Sequence, residues 1–283
     1  MDFALAFVSL ITAASASCIY GTSLMPRAAE GVVDILSFNY TATGGPLNWH
    51  LLNTTANNAC ATGKNQSPVD IVMEGITYAI PGSVKLDIPC ADGVELENLN
   101  NVVEVVANNG TLTTPESIYK LAQFHFHTPS EHRVNEEYFP MEAHFVFENE
   151  DITMVSDHKT SISIAVAAFL FQLSESGASN PLFDSVFAHL DDITTPGTFT
   201  KTGPLDFTTV NQHFSNHGIF QYSGSLTTPP CSEGLSWYIS TEPMPLNVQT
   251  YNKVKKVVKF NARYTQNTLG QNNLLELAAT PSG

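Results

Sequence analysis

The stretches Gln123-Phe-His-Phe-His127 and Glu142-Ala-His-Phe-Val146 carry histidines at the spacing of β-strand faces. Successive side chains of a strand point to opposite faces of a sheet. His125 and His127 therefore share one face, and His144 lies on the corresponding face of the second stretch. If the two strands are neighbours, three imidazoles meet at one point. Three neutral imidazoles and a water form a catalytic zinc site, whereas a structural site fills the fourth position with another protein ligand.

A His-x-His pair on a strand is, taken alone, often only a half-exposed polar face. Gln123 and Glu142 favour the metal site. Each precedes a predicted ligand by two residues on the same strand face, where its side chain can accept a hydrogen bond from the far nitrogen of that ligand. Metal-bound histidines usually have such partners.

Four blocks of the sequence, residues 60–71, 123–132, 141–146 and 225–237, resemble the signature blocks of alpha-class carbonic anhydrases of the secreted, fungal-like kind. The last block reads Ser-Leu-Thr-Thr-Pro-Pro-Cys-Ser-Glu-Gly-Leu-Ser-Trp. Matching landmarks run from about Phe38 to Arg263. The resemblance implies a single α+β, mainly β domain over residues 38–275, with a central, largely antiparallel, twisted sheet, peripheral helices and a conical cleft that reaches the zinc.

The resemblance also implies an activity, the reversible hydration of carbon dioxide to bicarbonate and a proton through a zinc-bound hydroxide. Zn2+ would be held by His125, His127 and His144. Thr227 would accept a hydrogen bond from the hydroxide and donate its own hydroxyl proton to Glu131. Considered alone, Thr227 is a turn residue before two prolines, and Glu131 is a surface carboxylate.

Further site residues follow from the same resemblance. The backbone carbonyl of Asn261 would orient His127, and Arg263 would have a structural role. Tyr40 and Tyr222 would hold ordered water in the cleft. The substrate would contact a set of mostly apolar side chains, which without the zinc ligands would be interpreted as ordinary core: Val146, Val166, Leu226, Trp237 and Thr228.

Two positions depart from the family pattern. Many members have a histidine at the cleft rim that passes the product proton to buffer, and the corresponding residue here is Asn101. The sequence has no histidine between Ile71 and Phe124. An amide carries no proton near neutral pH, so we expect proton export to depend on buffer or on water chains, with Tyr40 and His50 as possible substitutes. Phe38 stands where the family usually has Trp.

Four cysteines in an exported chain indicate disulfides. The resemblance to extracellular members implies a bridge between Cys60 and Cys231. Cys18 and Cys90 would then form a second bridge, link two chains or remain free.

Residues 1–16 are typical of a secretory signal peptide, because an apolar run over residues 3–12 precedes Ala14-Ser15-Ala16, a small-residue cleavage site. Asp2 stands where such leaders usually carry a basic residue. Residues 17–37 would be an N-terminal extension and residues 276–283 a C-terminal tail. We expect a secreted, extracellular glycoprotein without a membrane anchor, since no other segment supplies about 20 apolar residues. Sequons begin at Asn39, Asn53, Asn65 and Asn109.

The composition fits one domain and limits the partners. A chain of 283 residues with 43% hydrophobic residues can bury a full core. Its net charge of -15 opposes binding to nucleic acid, whose phosphates attract cationic proteins. Carbon dioxide and bicarbonate are the partners that the resemblance implies, and the oligomeric state is left open.

Local patterns predict more strands than helices. Runs rich in β-branched or aromatic residues and bounded by turn formers predict strands at 102–107, 120–127, 142–148, 161–171 and 235–240. Helices are predicted at 181–189, 208–214 and 247–259. Two other functions use the same fold: a catalytically silent binding or adhesion module, and an esterase that employs the zinc hydroxide. Retention of three histidines with Thr227 and Glu131 disfavours the silent module, and esterase activity is expected only as a side activity.

Overall fold

Most of the regular structure is β-strand. The computed structural model describes residue 22 and residues 33–73, 76–149 and 163–280; the predicted signal peptide and Cys18 lie outside them. In chain order the strands are β1 (Asp70–Ile71), β2 (Thr77–Ala79), β3 (Lys85–Asp87), β4 (Glu95–Asn98), β5 (Val103–Val106), β6 (Thr111–Thr113), β7 (Ile118–His127), β8 (Arg133–Val134), β9 (Glu137–Tyr138), β10 (Met141–Asn149), β11 (Ser163–Leu173), β12 (Phe199–Lys201), β13 (Ile219–Ser225), β14 (Glu233–Ser240) and β15 (Met244–Leu246).

The helices are short. They are α1 (Trp49–Leu52), α2 (Ala59–Thr62), α3 (Pro181–Phe187), α4 (Thr208–Asn216), α5 (Val248–Val257) and α6 (Leu274–Ala279). Asparagine side chains cap three of them: Asn180 accepts from the N–H of Leu182, Asn247 from that of Thr250, and Asn273 from that of Leu275. Helix α6 crosses the predicted boundary between domain and tail at residues 275 and 276. No helix in the described residues is long and apolar enough to span a membrane.

Twelve strands form one sheet, whose main path runs β12-β4-β5-β7-β10-β11-β14-β13-β2. Strand β15 pairs with β11, and β6 pairs with both β7 and β3. Most neighbours are antiparallel, as expected, but β11 is parallel to β14 and to β15, so the sheet is mixed. Strands β1, β8 and β9 form a separate small sheet. The mainly β, single-domain architecture expected from the sequence is confirmed.

The long predicted elements are present with small shifts at their ends. Strands β5, β7, β10, β11 and β14 occupy the five predicted runs, apart from residues 161 and 162, which lie outside the described part of the chain. Helices α3, α4 and α5 match the three predicted helices. Strand β13 was not predicted, because its sequence Ile-Phe-Gln-Tyr-Ser-Gly-Ser ends in residues with little strand preference.

One face of the central strands is packed against helices. Phe124 stacks on Phe145 with ring centroids 4.5 Å apart, across β7 and β10. Phe126 packs edge-on against Phe187 of α3 at 4.7 Å. These side chains belong to one large hydrophobic cluster. Because side chains alternate along a strand, this packing directs the histidines of β7 and β10 to the other face.

A disulfide joins Cys60 to Cys231, which are 171 residues apart in sequence, and confirms the expected pairing. Both sulfurs lie in a buried cluster that includes Phe38 and Trp49. Leu36, from the predicted N-terminal extension, is buried there too. Cys90 is an exposed free cysteine.

Reducing this disulfide should lower the melting temperature by roughly 5 to 15 °C, because a bridge across a long loop stabilises by up to about 4 to 5 kcal/mol. Calorimetry of the oxidised protein and of the Cys60→Ser, Cys231→Ser double variant measures the difference. Cys90→Ser is the control and should melt within about 2 °C of the wild type. An unchanged melting temperature in the double variant would contradict the assigned role.

Candidate metal centre

Three imidazoles meet on the face of the sheet opposite the helix-covered core. Strands β7 and β10 are antiparallel, and their register places His125 directly opposite His144. His127 is two residues further along the same face of β7. The ring centroids lie 5.1 Å apart for His125 and His127, 5.3 Å for His125 and His144, and 4.5 Å for His127 and His144. One nitrogen from each ring lies within 4.8 Å of the other two, and all three residues are buried.

Each ring has one nitrogen engaged by a protein acceptor and one nitrogen without a hydrogen-bond partner. The unpartnered atoms are Nε2 of His125, Nε2 of His127 and Nδ1 of His144. Burial of unpartnered polar atoms is unfavourable, so their convergence fits a bound metal ion. The engaged nitrogens make contacts of 2.8 Å that join His125 to Gln123, His127 to the main-chain oxygen of Asn261, and His144 to Glu142.

The three acceptors found at these contacts are the three that the sequence analysis named. They fix the ring orientations and leave a lone pair on each unpartnered nitrogen. Burial lowers the pKa of His125 well below its usual value, lowers that of His127 to about 4, and lowers that of His144. The rings are therefore neutral near pH 7. Neutral imidazole is the form that binds a metal.

His132, a residue that the sequence analysis did not name, also contacts the Glu142 carboxylate. Its Nδ1 lies 2.7 Å from Oε1 of Glu142, and the backbone N–H groups of Glu131 and His132 donate to Oε2. Burial alone would raise the pKa of Glu142, but the neighbouring His132 and His144 hold it well below its usual value. An ionised, fully engaged Glu142 is thus available to accept from His144.

His132 also contacts a buried pair of linked hydroxyl groups, those of Tyr222 and Ser67. Its Nε2 lies 2.6 Å from the hydroxyl oxygen of Tyr222, and that hydroxyl donates to Oγ of Ser67 at 2.8 Å. The Tyr222 hydroxyl is thus engaged by two protein groups, and its expected contact with cleft water stays a prediction. His132 is the last residue of the block 123–132, but its contacts with Glu142 and Tyr222 are visible only in the tertiary structure.

Glu131 and Thr227 lie beside the imidazole group. The Glu131 carboxylate accepts from the backbone N–H of Arg263 at 2.8 Å and from the Thr227 hydroxyl. Its oxygens approach Nδ1 of His127 to 3.6 Å and Nδ1 of His144 to 4.0 Å. Burial raises the pKa of Glu131 to about 7, while His144, the Arg263 N–H and the Thr227 hydroxyl act in the opposite direction. Two distant signature blocks therefore meet at one hydrogen bond.

The expected substrate-contacting residues are also brought together. Val146 lies opposite Val166 on β11, and Val166 lies opposite Trp237 on β14. The Trp237 ring is 4.9 Å from the His144 ring. Leu226 is buried in the same cluster, and Thr228 is fully buried one residue after Thr227. Buried apolar side chains therefore lie next to one of the three imidazoles.

Asn101 and Tyr40 both contact Phe38, near the start of the described chain. The Asn101 side chain donates to the main-chain oxygen of Phe38 at 2.6 Å, and its own main-chain oxygen accepts from the Asn261 side chain at 2.9 Å. Tyr40 packs edge-on against Phe38 and Trp49. Asn261 therefore links Asn101 and His127: its side chain donates to Asn101, and its main-chain oxygen contacts the His127 ring. His50 is on α1, and no described contact joins it to the imidazole group.

Comparison with known proteins agrees with this geometry. A family model described as eukaryotic-type carbonic anhydrase matches residues 44–274. A carbonic anhydrase of Pectobacterium atrosepticum is 32% identical over 232 residues, which cover 80% of this chain and 84% of that protein.

Solved structures give the same result. A fungal alpha carbonic anhydrase from Aspergillus oryzae is 59% identical with a TM-score of 0.79, over 86% of this chain and 98% of that one. The alpha-carbonic anhydrase from Thermovibrio ammonificans, in complex with the inhibitor sulfanilamide, is 30% identical with a TM-score of 0.70, over 83% and 97% of the two chains. With a family model over most of its length and such similar structures, this chain belongs to the alpha carbonic anhydrases, a family of enzymes.

Proposed function

We propose that this protein is a zinc enzyme that catalyses the reversible hydration of carbon dioxide to bicarbonate and a proton. One observation carries the proposal: three buried imidazole nitrogens without partners converge beside the Thr227–Glu131 hydrogen bond. Family membership supports the reaction. The metal and the mechanism are inferred from the residues.

The donor set fits Zn2+ with one position left for a reactant. Imidazole nitrogen is a common zinc ligand, and catalytic zinc sites typically have three protein ligands. Among the described residues, the group that contains all three imidazoles has no fourth His, Cys, Asp or Glu. Zinc held in this way supplies a hydroxide near neutral pH, because it lowers the pKa of a bound water to about 7, a value characteristic of carbonic anhydrases as a class.

Thr227 selects the form of the nucleophile. A threonine hydroxyl has one proton and two acceptor lone pairs. Since Thr227 donates that proton to Glu131, it can only accept a hydrogen bond from an oxygen at the centre. A hydroxide held at the centre would therefore have to donate its proton to Thr227, which would turn a lone pair toward the substrate. Ionised Glu131, which the Arg263 N–H stabilises, accepts this hydrogen bond. Because burial raises the pKa of Glu131 to about 7, the arrangement is complete above about that pH.

Carbon dioxide has no net dipole, so an apolar surface beside the nucleophile suits it better than hydrogen-bond donors do. Val146, Val166, Leu226 and Trp237 form such a surface next to His144. Thr228 adds a polar group one residue after Thr227, at a position expected to contact the substrate. These side chains orient the substrate and exclude water.

Export from the cell is part of the proposal. The Cys60–Cys231 disulfide fits an oxidising compartment, and residues 1–16 have the pattern of a secretory leader. We propose that the mature enzyme is extracellular and carries N-glycans on some of its four sequons.

Purified protein should contain close to one zinc per chain, and His144→Ala should lose both the zinc and the hydration activity, because one of three ligands is removed. Metal analysis and stopped-flow hydration measure the two losses. His217→Ala, at the end of α4, is the control and should keep both. Full activity of protein shown to be free of zinc would refute the mechanism.

Replacing Thr227 with Val should lower kcat/KM about 100-fold without loss of zinc, since a hydrogen bond to the reacting oxygen and its link to Glu131 disappear. Thr227→Ser, which keeps the hydroxyl, should retain most of the activity. If Thr227→Val lost zinc to the same extent as activity, Thr227 would be a structural residue.

Asn101→His should raise kcat in dilute buffer and leave kcat/KM nearly unchanged, because an imidazole with a pKa near about 6.5 accepts and releases protons at working pH. Asn101→Ala controls for loss of the hydrogen bond to Phe38. The measurement is kcat against the concentration of an imidazole-type buffer. A wild-type kcat that is high and independent of buffer would contradict the prediction and direct the search to His50.

A further inference from the structure

A pocket of about 580 Å³ is lined in part by Glu131 and by none of the three imidazoles. Its volume is within the usual range of about 300 to 1,000 Å³ for small-molecule sites. Five parts of the chain line it: Pro46, residues 129–131, the small sheet of β8 and β9, helix α5 and the segment of residues 260–265. It is formed by tertiary packing, and the proposed hydration reaction does not use its outer wall.

The outer wall is aromatic. Tyr138 of β9 and Phe260 have exposed fractions of 63% and 62%, although both line the pocket. Tyr251 of α5 and Tyr264 complete a set of four rings. Aromatic rings bind best to flat ligands that stack on them or meet them edge-on. Four rings around one cavity, two of them largely exposed, favour a ligand with an aromatic ring of its own.

Two cationic side chains, Arg133 and Lys255, lie at or near the pocket, and Asp70 is the acidic neighbour of Arg133 in the pairing of β1 with β8. Arg133 lies directly opposite Tyr138 in the pairing of β8 with β9, so the two side chains extend from the same face of that sheet. Arg133 is exposed, and its guanidinium is always charged. The ammonium group of Lys255 lies 5.1 Å from the centre of the Tyr251 ring.

The one acidic residue in the lining is Glu131, whose carboxylate is directed to the Arg263 N–H and to Thr227. The exposed charged side chain of the lining is therefore the Arg133 guanidinium, on a protein with a net charge of -15. An anionic ligand is drawn to such a place, and a guanidinium pairs with a carboxylate through two parallel hydrogen bonds.

From the rings and the exposed Arg133 guanidinium together, we propose that this pocket binds a small aromatic carboxylate, with its ring between Tyr138 and Phe260 and its carboxylate on Arg133. The proposal is independent of the zinc chemistry. The pocket and the metal centre share only the segment that contains Glu131 and the one that contains Asn261 and Arg263.

The test is calorimetric titration of the zinc-loaded full-length protein with sodium benzoate. We expect saturable binding with a Kd of about 1 mM or tighter. Arg133→Gln should weaken it about 10-fold and Phe260→Ala several-fold. The matched controls are Lys201→Gln and Phe199→Ala, exposed residues of β12 at the far edge of the large sheet, and both should bind benzoate as the wild type does.

Two other ligands separate the contributions, and zinc removal separates the two sites. Benzyl alcohol, which lacks the charge, and cyclohexanecarboxylate, which lacks the aromatic ring, should each bind about 10-fold more weakly than benzoate. Benzoate binding should survive removal of the zinc. The proposal is overturned if no saturable binding is seen, if binding disappears with the zinc, if either comparison ligand equals benzoate, or if neither pocket variant weakens binding while its melting temperature shows an intact fold.

Discussion

The antiparallel pairing of β7 with β10, in one register, is the constraint on which the rest of the site depends. It places His125 opposite His144 and, on the other face, Phe124 opposite Phe145. A slip of one residue would move every side chain of one strand to the opposite face. The stacked phenylalanines would then leave the core at the same time as the histidines left the metal centre. Packing of the hydrophobic core and geometry of the site are therefore held by the same backbone hydrogen bonds.

The site concentrates polar groups where burial is unfavourable, and the Glu142 carboxylate shows how specific partners stabilise one of them. Glu142 is ionised and receives hydrogen bonds from His132, from His144 and from two backbone N–H groups. A buried carboxylate with fewer partners would instead become protonated. This network fixes the protonation state and orientation of His144 in advance, so a metal ion that binds there need not reorganise its ligand. Preorganisation of this kind is how electrostatic catalysis is generally achieved.

Long-range contacts join the C-terminal segment to this centre. The main-chain oxygen of Asn261 holds His127, and the main-chain N–H of Arg263 holds Glu131. The Arg263 guanidinium donates to the Ser67 carbonyl and to Gln66, near the Cys60 end of the disulfide. Loosening of the N-terminal block would therefore be transmitted to His127 and to the partner of Thr227. The same segment contributes the Phe260 side chain to the pocket proposed to bind aromatic carboxylates.

The long strands, the three imidazoles and the acceptors Gln123 and Glu142 follow from the sequence, because alternation along a strand is local; the Asn261 carbonyl followed from the resemblance. The Cys60–Cys231 pairing followed in the same way, from resemblance to extracellular relatives. Tertiary structure alone decided that Tyr222 is bonded to His132 and Ser67, and that Arg133 and Tyr138 share a pocket with α5. Those contacts join segments whose relative positions are set by sheet order and helix packing, and no local pattern of residues records where distant parts of a chain will meet.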